Sequence, residues 1–216
     1  MANTFAPFGF LQFQGGAGGA PTFGQTTRRI ASTNSTAIYY GDPVMPVTGT
    51  ANGYITQAAP GSLSATVPLV GVFVGCKYLS VAQKRPVWSR YWPGSDANGD
   101  VEAYVIDDPN SRFVVQSANT ATTNSAQITG TLTAFGYSPV GQNCTYALGT
   151  GSTATGTSGA YLSAIGTTAA YPFTIVDLVT FPPGANGADP TSTGNWLVVG
   201  FNNEFLRSNT AVTGIS

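Results

Sequence analysis

From residue 37 onward, short apolar runs alternate with clusters of Gly, Pro, Asn, Asp and Ser, which is the pattern of an all-β chain. The runs are AIYY (37–40), PLVGVFVGCKYL (68–79), RPVWSRYW (85–92), EAYVI (102–106), RFVVQ (112–116), AQITGTLTAFGY (126–137), AYLSAI (160–165), PFTIVDLVTF (172–181) and NWLVVGF (195–201). The 68–79 run is the strongest candidate for a central strand, because a strand buried on both faces reads as continuously apolar. GDPVMPV (41–47) holds two prolines, which limit it to an edge strand. In RPVWSRYW the two-residue period puts Val87, Ser89 and Tyr91 on one face and Trp88, Arg90 and Trp92 on the other. Asn98-Gly99 signals a hairpin, and DDPN (107–110) a second turn. No stretch of about 11 residues keeps a 3.6-residue apolar period, so helix is minor. The expected fold is a β-barrel or β-sandwich.

Residues 1–30 read as an extended N-terminal arm ahead of a β-domain spanning 31–216. Phe5, Phe8, Phe10 and Phe13 stand among Gly, Pro, Ala and Gln, and the hinge-like GGAGGAP (15–21) follows. Such an arm either lies over the protein's own core or docks on a neighbouring subunit. The polar, low-complexity GTGSTATGTSG (149–159) is an expected exposed loop, or a linker at which the domain divides in two.

Composition sharpens this picture. Only 8% of the 216 residues are charged, against about 25% in an ordinary soluble domain. A surface so poor in charge is suited to meeting other protein. The net charge of −1 excludes the basic footprint from which nucleic-acid binders draw their affinity. No run of about 18 apolar residues is present for a membrane helix. The N-terminus also lacks the basic and apolar regions of a signal peptide, so the chain is expected to stay in the cytoplasm or be packaged from there into a particle. Cys76 and Cys144 are expected as small buried hydrophobes.

There is no histidine, which removes Ser-His and Cys-His nucleophiles and every His-ligated metal site. Nor does the chain contain G-x-S-x-G, a P-loop or CxxC. Asp107 and Asp108 precede Pro109-Asn110, where Asp serves turn hydrogen bonding better than paired-carboxylate catalysis. The run from Asp96 to Glu102 has Val101 where an EF-hand-type calcium loop needs Gly. These residues predict no enzyme, no metal and no cofactor.

Ten charged residues crowd into 71–116, five basic and five acidic. Their balance predicts an internally paired β-meander in which Arg85, Trp88, Arg90 and Trp92 pack against the acidic strand that ends in Asp107 and Asp108. On that reading Trp88→Ala should lower the melting temperature markedly, and the interaction surface lies in the uncharged remainder and the phenylalanine arm. The same aromatic-cationic run could instead stack sugars or bases.

The order of GDPVMPV, GVFVGCKY, KRPVWSRYWPG and EAYVIDDPNSRFVVQ, roughly residues 37–120, resembles a family of small head proteins of tailed bacteriophages, the capsid decoration or cement proteins. The resemblance implies a non-enzymatic virion protein on the outer capsid surface, assembled in the host cytoplasm. Its implied partners are an HK97-type major capsid protein, whose capsomers it clamps, and further copies of itself, often as a trimer. The family carries no catalytic residues to transfer. The alternative is a carbohydrate- or receptor-binding module of a fibre or spike, with Trp88, Tyr91, Trp92 or Trp196 as its stacking platform; a glycan hydrolase built on Asp/Glu pairs ranks below both.

Overall fold

A computed structural model describes residues 3–15, 20–49, 53–64, 66–118 and 136–206. Among them the chain forms β1 (Leu11–Gln14), β2 (Thr26–Ile30), β3 (Ile38–Tyr39), β4 (Pro43–Pro46), β5 (Ile55–Gln57), β6 (Gly71–Leu79) and β7 (Pro86–Ser89). There follow β8 (Tyr91–Trp92), β9 (Val101–Ile106), β10 (Arg112–Gln116), β11 (Asn143–Ala147), β12 (Tyr161–Gly166), β13 (Phe173–Leu178) and β14 (Trp196–Phe201). One 3-10 turn, Pro60–Ser62, is the helical content described. The protein is all-β, as the apolar pattern predicts. Most of the expected 126–137 strand lies outside the described residues.

Two antiparallel sheets organise the chain. The first runs β1-β10-β14-β13-β11-β12, and the second β2-β9-β6-β4-β5 with β7 also paired to β6. Both sheets curl: Ser117, just past β10, bridges Leu162 of β12 in the first sheet, and Arg29 of β2 bridges Tyr54, beside β5, in the second. A short β3–β8 ribbon completes the pairing. Each sheet has its own apolar cluster, with Phe10, Phe113, Tyr146, Phe173 and Phe201 in one and Ile30, Phe73, Trp92, Val101 and Val105 in the other.

Strand β6 is central, as its continuous apolarity predicts, because it feeds both clusters. Val72 and Val74 face the first, whereas Phe73, Cys76 and Tyr78 face the second. The register slips between Phe73 and Gly75 opposite β9, and this bulge moves the inward face from odd to even positions.

Four expectations change. Strand β4 is not an edge: it pairs with β6 through Pro43 and Val44 and with β5 through Val44 to Pro46. Its prolines need donate nothing there, and the Pro43 carbonyl accepts from the Ala58 N–H at 2.9 Å. RPVWSRYW breaks at Arg90 into β7 and β8, which pair in different sheets. The meander also ends at DDPN, where the chain leaves the second sheet (β9) for the first (β10). Finally, 149–159 joins β11 to β12 within one sheet and therefore does not separate the two. It is the expected loop between strands, exposed at 149–150 and 153–155, but its end is packed: Gly156 and Ser158 are buried, and Tyr40 exchanges backbone hydrogen bonds with both at 2.9 Å.

The arm belongs to the fold. Strand β1 pairs with β10, and β2 pairs with β9, so residues 1–30 contribute to both sheets. Phe10 is 1% exposed, stacked on Phe173 at 4.4 Å and edge-on to Tyr146 at 5.7 Å. Of the two arm readings, the lie over the protein's own core is the one observed for Phe10. Loss of so buried a ring costs about 3–5 kcal/mol, against about 0.5 kcal/mol or less for an exposed one. Denaturant titration should therefore find Phe10→Ala severely destabilised and Phe13→Ala, where the ring is 44% exposed, close to wild type; equal losses would refute the assignment.

Cys76 and Cys144 are free and buried in separate clusters. Burial pushes the Cys76 thiol up to about 12 and the Cys144 thiol higher still, so both stay protonated and inert at neutral pH. An aromatic disulfide reagent should label neither thiol in the folded protein and both in denaturant. Fast labelling of the native protein would contradict the burial.

Candidate interaction surfaces

The four arm phenylalanines divide. Phe5 is half-buried and edge-on to Tyr161 at 5.2 Å, and Phe8 is half-buried and edge-on to Trp196 at 5.0 Å. Phe10 is in the core, and Phe13 alone of the four is exposed. Polar contacts secure the arm's start: the Gln116 amide donates to the Thr4 carbonyl at 2.8 Å and accepts from the Ala6 N–H at 2.8 Å. The Asn3 amide donates to the Asp189 carbonyl at 2.9 Å and accepts from the Gly187 N–H at 3.0 Å.

Where the arm enters the body, a buried carboxylate ties its own turn to two other segments of the chain. Asp42 is 2% exposed. One of its oxygens accepts from the Ser158 hydroxyl, and the other from the Tyr39 N–H at 2.8 Å and the Gln57 amide at 2.7 Å. The neighbouring Gly41 carbonyl accepts from the Phe10 N–H at 2.9 Å, and the Gly9 N–H donates to Ala160 at 3.1 Å. Gly9 and Gly41 lie at φ +76° and +90°, and a Cβ on Gly9 would sit 2.6 Å from that of Ser158. Only glycine allows the two backbones to pass so closely. Desolvation raises the Asp42 pKa from its ordinary 3.8, against the opposing pull of the Ser158, Tyr39 and Gln57 hydrogen bonds. This junction was not legible from the residues, where GDPVMPV reads as an edge strand.

The charged block is not paired within itself. Among the described residues the one ion pair joins Asp107 to Arg28, at 2.7 Å, and Arg28 lies outside the block. The Thr26 hydroxyl also donates to Asp107, at 2.6 Å. Asp108 caps the turn by accepting from the Asn110 N–H at 2.9 Å, as a turn residue should. Arg85 donates to the Gln83 side chain at 3.0 Å, and Arg90 lies over the Tyr40 ring at 4.4 Å. Asp96 accepts from the Ser80 hydroxyl at 2.8 Å and the Ala82 N–H at 3.0 Å, which makes it a tie within the hairpin end. The expected packing of Arg85, Trp88, Arg90 and Trp92 against the acidic strand fails because β6 lies between β7 and β9.

The tryptophans separate for the same reason. Trp92 is fully buried, edge-on to Tyr78 at 5.1 Å, and its indole N–H donates to the Asn34 carbonyl at 3.3 Å. Trp196 is covered in part by Phe8, and Tyr91 stacks on Tyr39 at 5.5 Å. Trp88 is 65% exposed, with the Lys77 ammonium 5.5 Å from its ring centre. Trp92 is thus a core anchor, and Trp88→Ala should leave stability nearly unchanged, which reverses the expectation from the sequence.

Asp42 has a sign-specific consequence. Its folded pKa is raised above the unfolded value, so its contribution to stability is fully present below about pH 4 and declines as pH rises through the folded pKa. The melting-temperature gap between wild type and Asp42→Asn should shift against wild type as pH goes from about 4 to about 7. A shift in its favour would mean that the pKa is depressed.

Comparison with protein-family models, with curated proteins and with solved structures finds no match to this chain.

Proposed function

We propose that the protein is a non-enzymatic capsid decoration subunit of a tailed bacteriophage, clamping HK97-type capsomers from the outside of the head, with trimeric self-association around a local axis. The phage setting rests on the resemblance of residues 37–120. The observation that carries a docking role is the division of charge along the chain, most of it falling before Phe113. Residues 26–112 hold 13 of the 17 charged side chains. Residues 113–216 hold Asp177, Asp189, Glu204 and Arg207 alone. Depletion of charge marks the centre of protein interfaces, where an ion would lose its water without gaining a partner.

The neutral half also carries apolar side chains in the open. Phe181 is 81% exposed just ahead of Pro182 and Pro183, whose fixed φ stiffens its loop. The loop's ends are tied by the Val179 N–H to the Trp196 carbonyl at 3.0 Å. Tyr137, Val140 and Val176, 61%, 38% and 39% exposed, come near one another where the Gly141 N–H donates to the Ile175 carbonyl at 2.8 Å. Exposed apolar side chains on a surface this poor in charge suit the centre of an interface with the coat. The charged sheet then faces outward.

Mass spectrometry of purified virions should find the chain, and its absence would end the proposal. In re-addition to capsids lacking it, Phe181→Glu should reduce occupancy by about tenfold or more, the effect of about 1.4 kcal/mol or more, with an unchanged melting temperature. Full occupancy by that variant would place the docking face elsewhere.

A further inference from the structure

The outer face of the charged sheet carries a second feature, independent of the docking role. Strand register aligns four side chains in one row across four neighbouring strands. Trp88 (β7) is opposite Lys77 (β6), Lys77 is opposite Glu102 (β9), and Glu102 is opposite Arg29 (β2). Directly opposed residues share a face, so all four point away from the buried Cys76 and Ala103 side. Three interstrand spacings separate the ends of the row, about 14 Å.

The row is open in two senses. Among the described residues the Arg28–Asp107 contact is the one ion pair, so Lys77, Glu102 and Arg29 stand in register without closing to salt-bridge distance. Within the row, the cross-strand contact described is Lys77 over the Trp88 ring, 5.5 Å from its centre. Tyr104, two residues along β9, lies on the same face. At the row's end, Trp88 leaves most of an indole in water although its neighbour Trp92 is fully buried.

We infer that this row is a binding platform for an acidic oligosaccharide. The Trp88 face, negative in its quadrupole, stacks on the C–H groups of a pyranose ring. Lys77 and Arg29 take the sugar carboxylates, with Arg29 able to do so bidentately. Glu102 accepts from hydroxyls between them. Lys84 and Arg85, exposed at the end of the β6–β7 hairpin, add to the cationic excess. Single-stranded nucleic acid, which also combines stacking with charge, fits less well, because Glu102 occupies the middle of the track that a phosphate backbone would follow.

The test is a glycan array with the full chain, followed by calorimetric titration of the acidic oligosaccharides that score. Binding should appear for uronate-bearing glycans and weaken as salt rises. Trp88→Ala should lose affinity by about tenfold or more while melting within about 2 °C of wild type. Arg29→Gln, at an exposed position, should weaken the same ligands and not the fold, and so keeps the test decisive should Trp88→Ala misfold. No binding to any glycan, binding confined to neutral glycans, undiminished affinity in both variants, or tighter binding to single-stranded DNA would each overturn the assignment.

Discussion

The buried Asp42 carboxylate and the glycine crossing beside it hold the arm, the second sheet and the 149–159 segment in one arrangement. A carboxylate this deep is costly to desolvate, and hydrogen bonds from Ser158, Tyr39 and Gln57 offset that cost. Its position therefore requires three chain segments to be in place together. Gly9 and Gly41 let the arm backbone lie against the Asp42 turn, and this delivers Phe10 to the Phe173–Tyr146 cluster. The junction sets the arm's path between its start, held by Asn3 and Gln116, and β1, held by β10. Without Phe10 the first cluster would lose one of its largest rings.

From that junction the molecule divides by chemistry as well as by sheet. One sheet keeps most of the ionisable side chains, several of them engaged locally: Asp96 with Ser80, Asp100 with Tyr54, Asp107 with Arg28. The other is nearly free of charge and raises Phe181, Tyr137 and Val176 into the open. Strand β6 joins the two by feeding both clusters across its bulge. A body of this kind keeps a charge-poor surface and a charged surface apart on one chain.

How legible this was differs element by element. The strands at 71–79, 112–116, 161–166, 173–178 and 196–201 announce themselves, because a run of β-branched and aromatic residues between turns has few other uses. Partner choice does not announce itself. EAYVI and RFVVQ flank a four-residue turn and look like a hairpin, yet each finds its partners in a different sheet. GDPVMPV looks like an edge, and lies inside because its two neighbours share it end to end. Trp88 and Trp92 share a face in a straight strand. A bend at Arg90 sends one to solvent and the other to the core.

What the residues determined alone is therefore local: β class, minimal helix, the candidate core strands, buried inert thiols and the scarcity of charge. These follow from period, propensity and composition, which act within a few residues. The tertiary structure decided the rest: two sheets dividing at 107–110, an arm built into both, Asp107 paired with Arg28 and a row from Trp88 to Arg29. Each depends on which strands meet and in what register, and register is set by contacts between residues far apart in the chain.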